Sequence, residues 1–206
     1  MKFTPMRAIP WLLIYSRFLL APFIVYLGLE GLSNAGPVVV VLIWVALIGD
    51  ILDGIIARKV GNATPTMRRM DSIADLTFWL GVGTATWFWD PDIYGPYLFW
   101  LRLALVCEAL TYVVAFIKFG KELAAHAYSG KLLGIAILIG FTGIWWTGSG
   151  TVWVPVMLGF AFLSHLDRFG IALLLPNWTP DTPSAYHAFR IRKGLPIKRH
   201  PLFHGD

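Results

Sequence analysis

A chain of 206 residues that is 57% hydrophobic and only 14% charged, with a mean hydropathy of +0.65, is too apolar for an ordinary soluble domain. The net charge of +5 does not argue for nucleic acid, because the basic residues flank apolar stretches and do not form a basic domain of their own. Anionic lipid head groups and phosphate-bearing substrates suit that distribution better.

Lys2 and Arg7 precede the first apolar run in the manner of a signal peptide. Arg17 interrupts the run, however, and no small-residue cleavage site follows, so a retained membrane helix over 8–32 is expected. Further helices are expected over 37–59, 68–89, 95–118, 130–148 and 151–175, each near the roughly 20 residues needed to cross a bilayer. The sequence therefore predicts an all-α polytopic membrane protein with six transmembrane helices in one catalytic domain, 1–176. Residues 177–206, rich in Pro and basic side chains, read as a cytoplasmic tail that lies against the membrane surface. The lone Cys107 falls within an apolar stretch, where it can form no intramolecular disulfide and serves as a packing residue.

The connections divide by charge. Gly36-Pro37, Asp90-Pro91 and Gly148-Ser149-Gly150 punctuate one side and carry no Lys or Arg. On the other side lie 14 of the 17 basic residues, among them Arg58, Lys59, Arg68, Arg69, Lys118, Lys121, Lys131, Lys198 and Arg199; the remaining three, Arg17, Arg102 and Arg168, fall inside apolar segments. The excess of positive charge on cytoplasmic loops then places both termini in the cytoplasm, in agreement with an even number of spans.

Chemistry concentrates where the second helix ends and the third begins. Asp50 and Asp53 share a helix face with Gly54, Ala57 and Arg58, while Asp71 and Asp75 are one turn apart on the next helix. The short connection containing Gly61 and Pro65 makes the two helices antiparallel neighbours and brings the carboxylate pairs together. Four carboxylates near membrane depth repel one another unless compensated, and hard divalent cations such as Mg²⁺ or Mn²⁺ are the natural compensation. Small residues at 54 and 57 let a ligand approach the backbone, and Arg58 offers a fork for phosphate. Together these features suit a diphosphate substrate and phosphoryl-group transfer.

Taken singly, each residue has a plainer reading. The aspartates can be solvated helix-end carboxylates, Gly54 and Ala57 a helix-packing surface, and Lys131 a snorkelling side chain at a helix start. His165, Asp167 and Arg168 either pair with one another or line an acceptor cavity, and Glu108 and Arg102 find their partners on other helices. The ten Trp and seven Tyr act as interface anchors and lipid-facing bulk.

As a set, Asp50, Asp53, Gly54, Ala57 and Arg58, followed by Asp71 and Asp75, resemble the D-x-x-D-G-x-x-A-R…D-x-x-x-D signature of the CDP-alcohol phosphotransferases. The resemblance extends to Ile9-Pro10, the run Ser16–Pro22 and the Gly130-Lys131 pair. It implies transfer of a substituted phosphate from a CDP-alcohol, most simply CDP-diacylglycerol, to an alcohol hydroxyl with release of CMP. It further implies two divalent cations held by Asp50, Asp53 and Asp71 and touched by Asp75, which would be the catalytic base. Gly54, Ala57 and Arg58 would border the cytidine diphosphate, and Lys131 would reach the acceptor. A homodimer in the cytoplasmic membrane of a prokaryote is the implied setting. The chain departs from the family pattern at Met67, where a Gly is usual, at Trp11, where Asn is frequent, and at Leu76, where many relatives carry Lys. Three other readings stay open: a soluble CDP-alcohol donor with a lipid acceptor, a divalent-cation transporter whose carboxylates bind its cargo, and a family member that has lost catalysis and serves as a binding or scaffold protein, against which all four aspartates argue.

Overall fold

The computed structural model describes residues 5–31, 34–61, 64–123 and 127–197. Lys2, Lys198 and Arg199 of the basic set lie outside the described residues, as does the end of the expected tail. Among the described residues there are seven α-helices and no strand: α1 (Ile9–Glu30), α2 (Ala35–Lys59), α3 (Pro65–Trp89), α4 (Leu98–Phe119), α5 (Tyr128–Thr147), α6 (Trp153–Leu174) and α7 (Ala185–Arg192). Five segments are long and apolar enough to cross a membrane: α1, α2, Pro91–Phe119, α5 and α6. The protein is thus a multi-pass helical membrane protein. Helix α3 has the length, at 25 residues, but Arg68, Arg69, Asp71 and Asp75 occupy its first half and lower its hydropathy, so it is not among the five. Large apolar side chains on the spans are openly exposed, Leu105 at 72% and Ile117 at 82% for example, as faces that meet lipid must be.

Local signals set the helix ends. Thr64 caps α3, its hydroxyl accepting from the Met67 N–H at 3.2 Å, and Pro65 takes the first helical position, where a missing N–H costs nothing. The sequence reading placed this start at residue 68 because it took Pro65 as part of the break. Gly31 and Gly120 stop α1 and α4 with φ of 57° and 67°, a conformation glycine adopts without penalty.

The chain forms two compact units. The first comprises Met1–Gly95 with Phe141–Gly150. Here α1 packs along α3 in parallel, and its buried positions 14, 17, 21, 24 and 28 step by three and four residues, the spacing of a coiled-coil seam. At one end of the seam the residues are small. Gly28 is so close to α3 that an added Cβ would collide with the Ala85 backbone, and a Cβ on Gly81 would lie 2.9 Å from that of Ala21. Trp145 closes this end: it is buried, donates from Nε1 to Thr86 Oγ1 at 3.0 Å and stacks on Trp89 at 4.4 Å. At the other end the seam carries charge, and the site described below lies there.

The second unit comprises Pro96–Gly140 and Thr151–Asp206. Ala115, Ile171, Ala172, Leu175 and Ala188 form its core, so α7, an unexpected helix within the 177–206 segment, is seated against the ends of α4 and α6. Asp167 holds both sides of this arrangement. Its Oδ2 accepts from Ser129 Oγ at 2.7 Å at the start of α5, and its Oδ1 accepts from the Ala185 N–H at 2.7 Å at the start of α7. Glu108 on α4 receives Arg168 at 2.5 Å and His165 at 2.9 Å, both from α6. Glu108 therefore finds cross-helix partners, and among the described residues His165, Asp167 and Arg168 form no ion pair with one another: His165 and Arg168 both reach Glu108 on α4, while Asp167 reaches the starts of α5 and α7. Because a hydrogen bond to a charged group contributes about 1.5–3 kcal/mol, Asp167→Ala should lower the unfolding midpoint in detergent by about 5 °C and speed proteolysis at Arg190 and Arg192. Thermal unfolding and limited trypsin digestion would check both.

Candidate metal and diphosphate site

The charged end of the α1–α3 seam is built from three helix termini: α1 and α3 begin there, and α2 ends there. Asp50 and Asp53, three residues apart near the end of α2, turn toward α1 and α3. Asp71 and Asp75, four apart in the first turns of α3, turn toward α1 and α2. The four carboxylates converge, and Arg17 of α1 sits among them. Arg17 Nη1 donates to Asp50 Oδ1 at 2.6 Å and to Asp75 Oδ1, while Nη2 donates to Asp53 Oδ2 and Asp71 Oδ1, each at 2.6 Å. Arg17 is only 1% exposed and Asp53 only 3%, whereas the side chains of Asp50, Asp71 and Asp75 keep 35%, 35% and 42% of their surface open.

Burying an arginine without partners costs several kcal/mol, so four carboxylates are ample reason for its place. The converse does not hold. One guanidinium against four carboxylates leaves a formal surplus of three negative charges at the edge of an apolar helix bundle. One ligand oxygen each from Asp50, Asp53 and Asp71 lie within 4.8 Å of one another, a spacing and an all-oxygen chemistry that fit a hard divalent cation. Asp75 stands outside that triad and joins the group through Arg17.

The neighbouring motif residues lie on the same helix face. An added Cβ at Gly54 would sit 3.5 Å from Arg58 Nη1 and 3.9 Å from Nη2, so the Arg58 guanidinium folds back across the space that Gly54 leaves. Ala57 is buried rather than open, packed with Ile14, Met67 and Ala74, with Trp11, Phe18 and Met70 around them. Met67 and Trp11, two of the departures from the family pattern, thus fill the volume beside Ala57. A small cleft bounded by α1, α2 and α3 has polar walls from Arg17, Asp50 and Asp75 and apolar walls from Ala46, Leu47, Phe78 and Trp79. Lys131 belongs to the second unit, in the first turn of α5, with its N–H on the Ala127 carbonyl.

A family model described as CDP-alcohol phosphatidyltransferase matches residues 7–163, which takes in α1 to α5 and every motif position. The chain belongs to this family. Among individual CDP-alcohol phosphatidyltransferase relatives, the CDP-diacylglycerol–glycerol-3-phosphate 3-phosphatidyltransferase of Aquifex aeolicus (strain VF5) is 34% identical over 95 residues. That match covers 46% of this chain and 52% of the relative. The chain therefore spans about half the length of the curated relative it matches. No solved structure matches significantly.

Arg17 is the residue of the site that sequence reasoning did not single out. A signal was present, since an arginine in the middle of an otherwise apolar helix marks a functional position in a membrane protein. Only the fold reveals its partners, which lie 33 to 58 residues away in the chain.

Proposed function

We propose that this chain is a phospholipid-biosynthetic transferase that moves the phosphatidyl group of CDP-diacylglycerol to an alcohol hydroxyl and releases CMP. The observation that carries this reading is the convergence of the four family aspartates next to a cleft that is polar on one side and apolar on the other. A diphosphate bearing acyl chains needs both: acidic ligands for the cations that accompany the diphosphate, and apolar walls for the start of the lipid. The relative's name adds glycerol 3-phosphate as the first acceptor to try.

In this proposal Asp50, Asp53 and Asp71 hold divalent cations, two in number and Mg²⁺ or Mn²⁺ in identity, with Asp75 at the edge of the second. Bound cations would neutralise the diphosphate charge as the leaving group departs. Arg58, folded across Gly54, binds the diphosphate from the end of α2, and Ala57 supports that surface from beneath. Asp75, the most open of the four, takes the proton of the acceptor hydroxyl as its oxygen bonds to the β-phosphorus. The bond from that phosphorus to the bridging oxygen breaks, and the electron pair leaves on CMP. Lys131 is assigned to the acceptor's phosphate. We further propose that α3 crosses the membrane as a sixth span and that both termini face the cytoplasm of a prokaryote. In the same reading, 1–176 form the catalytic domain with 177–206 beside it on the cytoplasmic side, and the chain works as a homodimer.

The decisive experiment measures CMP release by the purified protein in lipid, with CDP-diacylglycerol, Mn²⁺ or Mg²⁺ and a panel of alcohols headed by glycerol 3-phosphate. Release that requires cation, acceptor and Asp75, with Asp75→Asn at background, is the expected result. Release from a soluble CDP-alcohol instead would reverse the roles of donor and acceptor. Cation flux into vesicles with no CMP from any donor would replace the transferase by a transporter.

A further inference from the structure

Arg17 approaches the four aspartates from the buried side, and it takes only one oxygen from each: Asp50 Oδ1, Asp53 Oδ2, Asp71 Oδ1 and Asp75 Oδ1. The second oxygen of each carboxylate makes no bond to Arg17, and Asp50 and Asp71 also share a hydrogen bond with each other. Three of the four keep a third or more of their side-chain surface exposed, whereas Arg17 keeps 2%. The guanidinium is planar and its N–H groups point in fixed directions, so it dictates how each carboxylate is turned. Two of the carboxylates come from α2 and two from α3, so one side chain of α1 sets the geometry between two other helices.

We propose, on the reading of Asp50, Asp53 and Asp71 as cation ligands, that Arg17 is a positioning residue. It stays behind the carboxylates, braces them by charge-assisted hydrogen bonds and turns their other oxygens toward the open side, where the cation binds. It does not occupy the cation's place and is not displaced by it. Partners that orient metal ligands in this way typically change affinity about 10- to 100-fold when they are altered. A guanidinium that competed with the cation for the same oxygens would have the opposite effect, because its removal would tighten binding.

The sign of the change in affinity is therefore the test. Mn²⁺ binding to the purified protein, in detergent and without nucleotide or lipid donor, is followed by the loss of the free Mn²⁺ electron paramagnetic resonance signal. Arg17→Lys keeps the charge but cannot reach four carboxylates at fixed angles; Arg17→Gln keeps hydrogen-bonding atoms and loses the charge. Both are checked for monodisperse elution, and Lys guards against a Gln variant that fails to fold. The brace predicts Mn²⁺ dissociation constants raised about 10- to 100-fold, with Lys nearer to the wild type than Gln, and an altered spectrum of bound Mn²⁺. Unchanged or tighter binding in Arg17→Lys overturns it. If the wild type itself binds no Mn²⁺ that Asp53→Asn removes, the reading of the aspartates as a metal site falls, and the inference falls with it; the two failures are told apart by the wild-type curve.

Discussion

Asp53→Asn should cut cation-dependent CMP release by at least about 10²–10³-fold while leaving a folded protein. Asp53 is the buried member of the triad, and its carboxylate faces both Arg17 and the oxygens of Asp50 and Asp71. The substitution preserves shape and removes one charge, so Arg17 keeps three anionic partners and the surplus negative charge of the cluster falls. The metal-free unfolding midpoint should therefore stay within a few degrees of the wild type or rise. The rise in midpoint on adding Mn²⁺, which reflects binding to the folded state only, should disappear. Asp92→Asn, in the exposed turn before α4, is the control and should alter neither value. An Asp53→Asn protein that turns over normally would remove the metal assignment, whatever the family relationship. One that loses activity together with its fold would show instead that the charge at 53 is structural, and the separate midpoint measurement distinguishes the two.

Part of this site could be read without a fold. Asp50, Asp53, Asp71 and Asp75 announce themselves because carboxylates are costly in an apolar sequence, and their spacings place each pair on one helix face. The long helices were equally legible from their apolar runs, with ends within a few residues. What escaped was set by tertiary packing. Arg17 carries no local mark of its four partners, and a single arginine in an apolar helix reads equally well as a snorkelling side chain. Helix α7 is hidden by the Pro-rich and basic composition around it; eight residues do not make a stable helix alone, and this one is seated by Ala188 in the core and by Asp167 at its first N–H. Pro65 reads as a break because proline in a helix interior disrupts the helix, and Thr64 before it, a capping residue, is the cue that Pro65 instead opens α3. Met67 stood out only as a departure from a pattern; the fold supplies its content, a long side chain buried against Ala57, Ile14 and Ala74.

The seam that carries Arg17 to the aspartates makes a second large effect predictable far from the chemistry. Gly28 lies 11 residues beyond Arg17 on α1, about 16 Å along the helix. A Cβ there would collide with the Ala85 backbone, and backbone cannot rotate aside as a side chain can. Gly28→Leu must therefore push α1 and α3 apart, at a cost of about 1–3 kcal/mol or more for overpacking. Because α1 bears Arg17 and α3 bears Asp71 and Asp75, the tilt that relieves the clash also changes how the guanidinium meets those carboxylates. A misplacement of about 1 Å at a reacting centre costs on the order of 10²-fold in rate. Gly28→Leu should thus lose both stability and CMP release, and Mn²⁺ binding should weaken in parallel. Gly159→Leu makes the same chemical change on α6, where an added Cβ meets nothing within 4 Å, and should be close to neutral. Equal losses in the two variants would mean that leucine is simply poorly tolerated in these helices. A loss confined to position 28 would locate the geometry of the site in the packing of α1 against α3, with small residues at one end of the seam holding the register that the charged end requires.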